Sequence, residues 1–180
     1  MATLFRGRYT AHLDGPFVVF FIGMRINQPW KVWRWLPTLL AMGPMLRELY
    51  MHPEKGFRGA EFLFSLRGPL VLQYWRSFDH LERFARAKDD PHLPAWSRFN
   101  RTAARDGSVG IFHETFLVDA GRFESVYVNM PRFGLAAAAE HVPVGGAKET
   151  ARGRLGTWHQ PDHSASGVPA AAVAVSGREA

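Results

Sequence analysis

The run DDPHLPAWSRFNR, residues 89–101, gathers His92, Trp96, Phe99 and Asn100. With Pro94 opening a helix, Trp96, Phe99 and Asn100 fall close to one stripe and His92 stands at the mouth of the first turn. A stripe made only for packing is aliphatic. One that joins an indole, a phenyl ring and a carboxamide to an imidazole reads as the wall of a pocket. The positive end of a helix disfavours imidazolium, so His92 is expected neutral and able to accept a proton or ligate a metal. The plainer reading is that it caps a loop. Asn100 is a poor choice in mid-helix, which points to a tertiary hydrogen bond.

His113 and Glu114 are adjacent in GIFHETFLVD (110–119). On a strand they point to opposite sides, so they cannot form a local dyad. Phe112, Glu114, Phe116 and Val118 share one face; Ile111, His113, Thr115 and Leu117 share the other. Both faces are apolar, so each polar member needs a partner. A buried Glu114 would have a raised pKa and serve as a general base. Alternatively it pairs with Arg76 or Arg25. Trp75 and Tyr127 complete the candidate set. His92 and Glu114 are expected to be catalytic, and Trp75, Trp96, Phe99, Asn100, His113 and Tyr127 to bind substrate.

These residues need elements to hold them. FVVFFIGMRI (17–26) has the length and β-branched, aromatic content of a strand. Asn27 is placed to cap a helix over 30–51, with Pro29 in its first turn, and Pro37 and Gly43-Pro44 are expected to kink or divide it. AEFLFSLR (60–67) and PLVLQYWRS (69–77) read as a hairpin about Gly68-Pro69. Ser77 caps a second helix, which breaks near Asp89-Asp90-Pro91 and restarts at Pro94. Residues 110–119 and 123–130 close the series as strands. The order is βαββαβ plus one strand, an α+β ferredoxin-like arrangement. Its helices cover one sheet face and leave an apolar face that a second copy would cover, so a homodimer is expected.

Composition narrows the function. There is no cysteine, which excludes thiolate chemistry and Cys-based zinc sites and fits a reducing cytoplasm. The net charge of +6 is spread over scattered arginines without a basic block, so no nucleic-acid partner is expected. The opening MATLFRGRYTAHLDG lacks an apolar h-region, and PFVVFFIGM (16–24) is far short of the ~20 residues of a membrane span. A soluble protein without a transmembrane segment is expected. The tryptophans of 29–35 keep membrane-surface contact as a minor alternative. Residues 1–144 read as one domain and 145–180, rich in Gly, Ala, Ser and Pro, as a flexible tail. His159 and His163 in that tail read as surface histidines, and no metal site is expected.

Several separated blocks carry a family resemblance: GRYTAHLDGPFVVFFIGMRIN (7–27), GPMLRELY (43–50), QYWRSFDHLERFAR (73–86), HLPAWSRFNR (92–101), VGIFHETFLV (109–118) and ESVYVNMPRFGLA (124–136). Over about residues 5–143 the chain resembles the monooxygenase af470-like family, which is similar to the dimeric α+β barrel superfamily. That resemblance implies a barrel formed by two copies and a monooxygenase acting without cofactor on a hydrophobic aromatic or polyene-like secondary metabolite. Haem, held by His92 or His113, is the alternative cofactor that the superfamily implies. A ligand-binding dimer without catalysis is the third reading. The resemblance brings no catalytic set with it, so the site residues rest on the reading of strands and helices above.

Overall fold

A computed structural model describes residues 2–87, 97, 99–101 and 105–155 of the chain. The strands β1 (Phe5–His12) and β2 (Phe17–Ile26) lead into helix α1 (Val32–Met51). The hairpin β3 (Phe57–Ser65) and β4 (Gly68–Trp75) follows, then helix α2 (Phe78–Arg86) and strand β5 (Val109–Val118). The chain continues through β6 (Tyr127–Met130), a one-turn helix α3 (Leu135–Ala138), β7 (Glu140–Pro143) and a short helix α4 (Ala151–Arg154).

The main sheet is antiparallel, in the order β3-β4-β2-β5. With α1 and α2 inserted as crossovers this is the ferredoxin-like βαββαβ arrangement expected. Strand β2 is apolar almost throughout because it lies in the centre and is covered on both faces. Val18 packs with Leu46 and Leu49 of α1, Leu81 and Phe84 of α2, and Trp75. Its neighbour Phe17 points the other way, into a cluster with Ala11, Tyr74, Leu135 and Ala136. At the hairpin turn Gly68 has φ 149 and lies against the Met24 carbonyl where a Cβ would sit. Only glycine fits both conditions.

The second cluster revises the expectation of a wholly open face. Strands β6-β1-β7 form a separate three-stranded sheet that covers one end of the main sheet from within the same chain. Neither β1 nor β7 was anticipated: FRGRYTAH and EHVP lack the apolar alternation that signals a half-buried strand. The remaining end of that face, around Phe112 and Phe116, stays exposed in the single chain, 39% and 51% respectively.

Helix α1 also differs. Pro37 and Pro44 both lie inside one continuous helix of 20 residues, which is not divided. Each proline removes one amide, leaving the carbonyls of Trp33 and Leu40 without that partner. Both residues are exposed, so the loss falls where water can compensate. Asn27 does not cap the helix, whose N-cap position is Lys31 and carries no side-chain cap. Its Nδ2 instead donates to the Gly107 carbonyl at 3.0 Å, and its Oδ1 accepts from Arg25 Nε. Ser77 caps α2 as expected, accepting from the His80 amide.

The start of the expected tail is built into the fold. Residues 146–154 form a 3-10 turn and α4, tied down by Arg154 Nε donating to Glu124 at 2.6 Å and by an Arg8–Glu149 ion pair at 2.7 Å. Residues 156–180 lie outside the described residues.

Candidate functional site

The strand register sorts the candidate residues onto two sides of the main sheet. Three cross-strand rows face the helices: Trp75–Val18–Leu117, Gln73–Phe20–Thr115 and Val71–Ile22–His113. Trp75 is 0% exposed and packs edge-on to Phe57 at 5.4 Å and tilted against Phe84 at 5.7 Å. It is a core residue here, and its one polar group is engaged by its neighbour. The indole Nε1 donates to Gln73 Oε1 at 2.9 Å. Because an indole N–H only donates, the carboxamide must turn its oxygen toward Trp75 and its NH2 away.

Gln73 itself is buried, 5% exposed. No described residue accepts from its Nε2, and that nitrogen is not among the sealed polar atoms of the protein. A two-proton donor of fixed orientation thus stands on the helix side of the sheet, in register with Phe20. The Phe20 ring lies 5.6 Å from the imidazole of His113, which is exposed on the same side. Gln73 and His113 lie on the strands either side of Phe20, one row apart and on the same side of the sheet. Gln73 was missed in the sequence, although a lone polar residue two places from Trp75 in PLVLQYW was a signal for it.

The other candidates separate. Phe99 is buried with Met24 and Val109, packed by Trp35 and Leu39, which makes it part of a core cluster one step along the sheet. Asn100 is exposed. His92 and Trp96 lie outside the described residues.

Glu114 faces away from the helices, opposite Phe21 in register, as the alternation required. It is exposed rather than buried, and among the described residues it pairs with neither Arg25 nor Arg76. The reason is its position: β5 is an edge strand and the small sheet does not reach this end.

Tyr127 belongs to the small sheet, not to the main sheet that carries His113, and its hydroxyl accepts from the Ala136 amide at 3.2 Å. It joins a polar seam between the two sheets. There Glu61 accepts from the Gly134 amide at 2.7 Å, and the buried Tyr74 has its pKa pushed up to about 12, first by burial and then by Tyr127 and Glu61. An unfolded tyrosine ionises near 10, so the native state favours the neutral phenol. The resulting stability is present in full below about pH 10 and is lost as pH rises through about 12; it amounts to no more than about 3 kcal/mol. Tyr74→Phe is expected to flatten this alkaline limb, read as the urea midpoint followed from about pH 9 to 12. An unchanged pH profile in the variant would assign the limb to other groups.

A cavity of about 340 Å³ opens beside the small sheet, lined by His12, Leu13, Asp14, Arg58, Ala139 and Glu140. It contains none of the residues singled out in the sequence. Two groups near the small sheet have no hydrogen-bond partner among the described residues: Arg58 Nε, and both ring nitrogens of His141, which stacks on Tyr9 at 4.5 Å. Burial, with Arg132 as the lesser cause, holds the His141 pKa below the usual imidazole range.

The family described as monooxygenase af470-like matches residues 17–135, the stretch that runs from β2 to the start of α3. The chain belongs to that family. Monooxygenase af470 of Aspergillus fumigatus is 29% identical over 150 residues, covering 72% of this chain and 53% of the relative. The af470-like chain thus spans about half the length of the curated relative it matches. Among solved structures it is similar to SnoaB, a cofactor-independent oxygenase from Streptomyces nogalater, at 15% identity and a TM-score of 0.39 over 56% of this chain and 90% of that one. It is also similar to the hydroxynitrile lyase of Passiflora edulis, at 9% identity and a TM-score of 0.41 over 57% of this chain and 94% of that one. Likenesses this slight carry no argument about the chemistry of this af470-like protein.

Proposed function

We propose that this protein is a monooxygenase that uses no cofactor and oxygenates a hydrophobic aromatic or polyene-like secondary metabolite. Family membership supports the reaction class. The observation that carries the rest is the Gln73 amide, oriented by Trp75 and free to donate on the side of the sheet that bears Phe20 and His113.

The substrate's own electrons do the reduction. A base removes a proton from an acidic C–H or O–H, and the anion that forms is stabilised by N–H donors at its oxygen. The anion passes one electron to O2, the radical pair joins as a peroxide, and the O–O bond breaks with loss of water. A CH2 becomes C=O, one oxygen atom enters the product and the other leaves as water. His113 is the base placed on the Gln73 side; His92, outside the described residues, is the alternative. Glu114 could act as base only for a ligand held between the apolar faces of two copies. A homodimer joined through the Phe112–Phe116 region would create that space.

Oxygen uptake by the purified protein with electron-rich phenols, without added haem or flavin, tests the reading. Consumption of one O2 per product, lowered about a hundredfold in His113→Ala, is the expected result. Saturable binding of the same phenols with no oxygen uptake would leave a binding protein. A species of one-chain mass in sedimentation of the same sample would remove the dimer.

A further inference from the structure

Among the described residues, four of the five most exposed large apolar side chains lie toward one end of the main sheet; the fifth, Leu117, is at the other. Leu66, at the tip of the β3–β4 hairpin, is 106% exposed, and Phe64 beside it is 79% exposed. The Ile26 amide donates to the Arg67 carbonyl at 2.7 Å, which fixes this tip beside the end of β2. Four residues beyond Ile26 comes Trp30, 68% exposed, and then Trp33 in the first turn of α1, 67% exposed. Trp35, by contrast, is tied inward by its indole N–H donating to the Pro29 carbonyl at 3.0 Å. The two outward tryptophans are therefore not leftovers of a loose helix start. The segment that carries them is anchored at both ends.

Around these four side chains stand cations. Arg25 and Arg67 are exposed, and Lys31, at the N-cap of α1, and Arg34, in its first turn, stand on either side of Trp33 in the sequence. Among the described residues of this end Asp106 is the one carboxylate in ion-pair reach, 3.2 Å from Lys31 and 3.6 Å from Arg34. It is strongly committed, its pKa lowered to about 2 by the Ser108 side chain and amide first and by Lys31 after them. The patch remains basic, as does the chain as a whole at +6.

We infer that this end, formed by Trp30, Trp33, Phe64 and Leu66 within a collar of Arg25, Lys31, Arg34 and Arg67, docks on the surface of an anionic lipid membrane. A side chain as exposed as Leu66 projects; it is no floor for another protein's side chain to enter. Indole rings at headgroup depth, aliphatic and phenyl groups just below them and cations above match the layering of a bilayer interface. Anionic headgroups supply the charge complement that, among the described residues, the collar lacks beyond Asp106. No helix among the described residues is long and apolar enough to cross a membrane, so the contact is peripheral. The inference concerns a surface away from Gln73 and stands independently of the reaction proposed above.

Co-sedimentation of the full chain with phosphatidylcholine vesicles, with and without phosphatidylglycerol, tests it at low and at high salt. Binding is expected only to the anionic vesicles and weaker at high salt. The doubly substituted Trp33→Ser, Leu66→Ser chain is expected to bind about tenfold more weakly while keeping the wild-type thermal unfolding midpoint. Arg67→Glu, at an exposed turn, supplies a second variant should the first misfold, and weakened binding is expected there too. No sedimentation with either vesicle, or equal binding by wild type and both variants, would overturn the inference. So would variants that change only the sedimentation coefficient of the protein, which would make the patch a contact between copies.

Discussion

Replacing Trp75 by alanine is expected to destabilise the fold by about 3–5 kcal/mol, the largest effect of any single truncation considered. The side chain has no exposed surface and sits where β4, α1 and α2 meet, so nothing can collapse into the space it leaves. The loss has a second part. Gln73 Oε1 would keep its burial and lose its donor, adding the cost of an unpaired buried acceptor. Trp75→Phe should cost less in packing and retain that second part. Urea unfolding of the two variants separates the contributions. If alanine cost less than about 1 kcal/mol, the indole would not be the centre of the core that its burial implies.

Much of this was legible in the sequence because it depends on periodicity and turn chemistry. Two-residue alternation placed His113 and Glu114 on opposite faces, and the register shows them there. The Gly68-Pro69 turn gave the hairpin, and Ser77 the start of α2. What was not legible depends on tertiary cover. Glu114 was read as buried because both faces of its strand are apolar, yet an edge strand beyond the reach of the small sheet leaves it in water. The small sheet went unseen because β1 lacks apolar alternation and β7 has only four residues, and only the pairing of β1 with β7 and with the strand of Tyr127 makes them strands. The prolines of α1 looked like breaks because local propensity ignores packing of Leu46 and Leu49 beneath the second of them. Trp75 and Gln73 illustrate the same limit at the site. The sequence singles out the indole as chemistry, whereas the geometry makes the indole a support and its neighbour the group with unused donors.

That exchange of roles leads to the prediction with the largest effect on turnover. Gln73→Leu keeps most of the side-chain volume and removes the oriented NH2, and turnover is expected to fall by about 10²–10³-fold, the usual loss when one preorganised donor to a developing oxyanion is deleted. Substrate affinity should change much less, because the donor acts most strongly on the anion. Gln73→Glu is the sharper variant. Its carboxyl group can still accept from Trp75 Nε1, but it has lost the NH2, and wherever it ionises it sets charge where the anion must form, so it should be at least as inactive and less stable for the burial of a carboxyl group. Steady-state oxygen uptake gives kcat and KM for each, and the unfolding midpoint shows that the fold survives. A rise in KM with kcat unchanged would reduce Gln73 to a binding contact. Both constants unchanged would remove it from the site and leave His113 without the partner on which the helix-side reading depends.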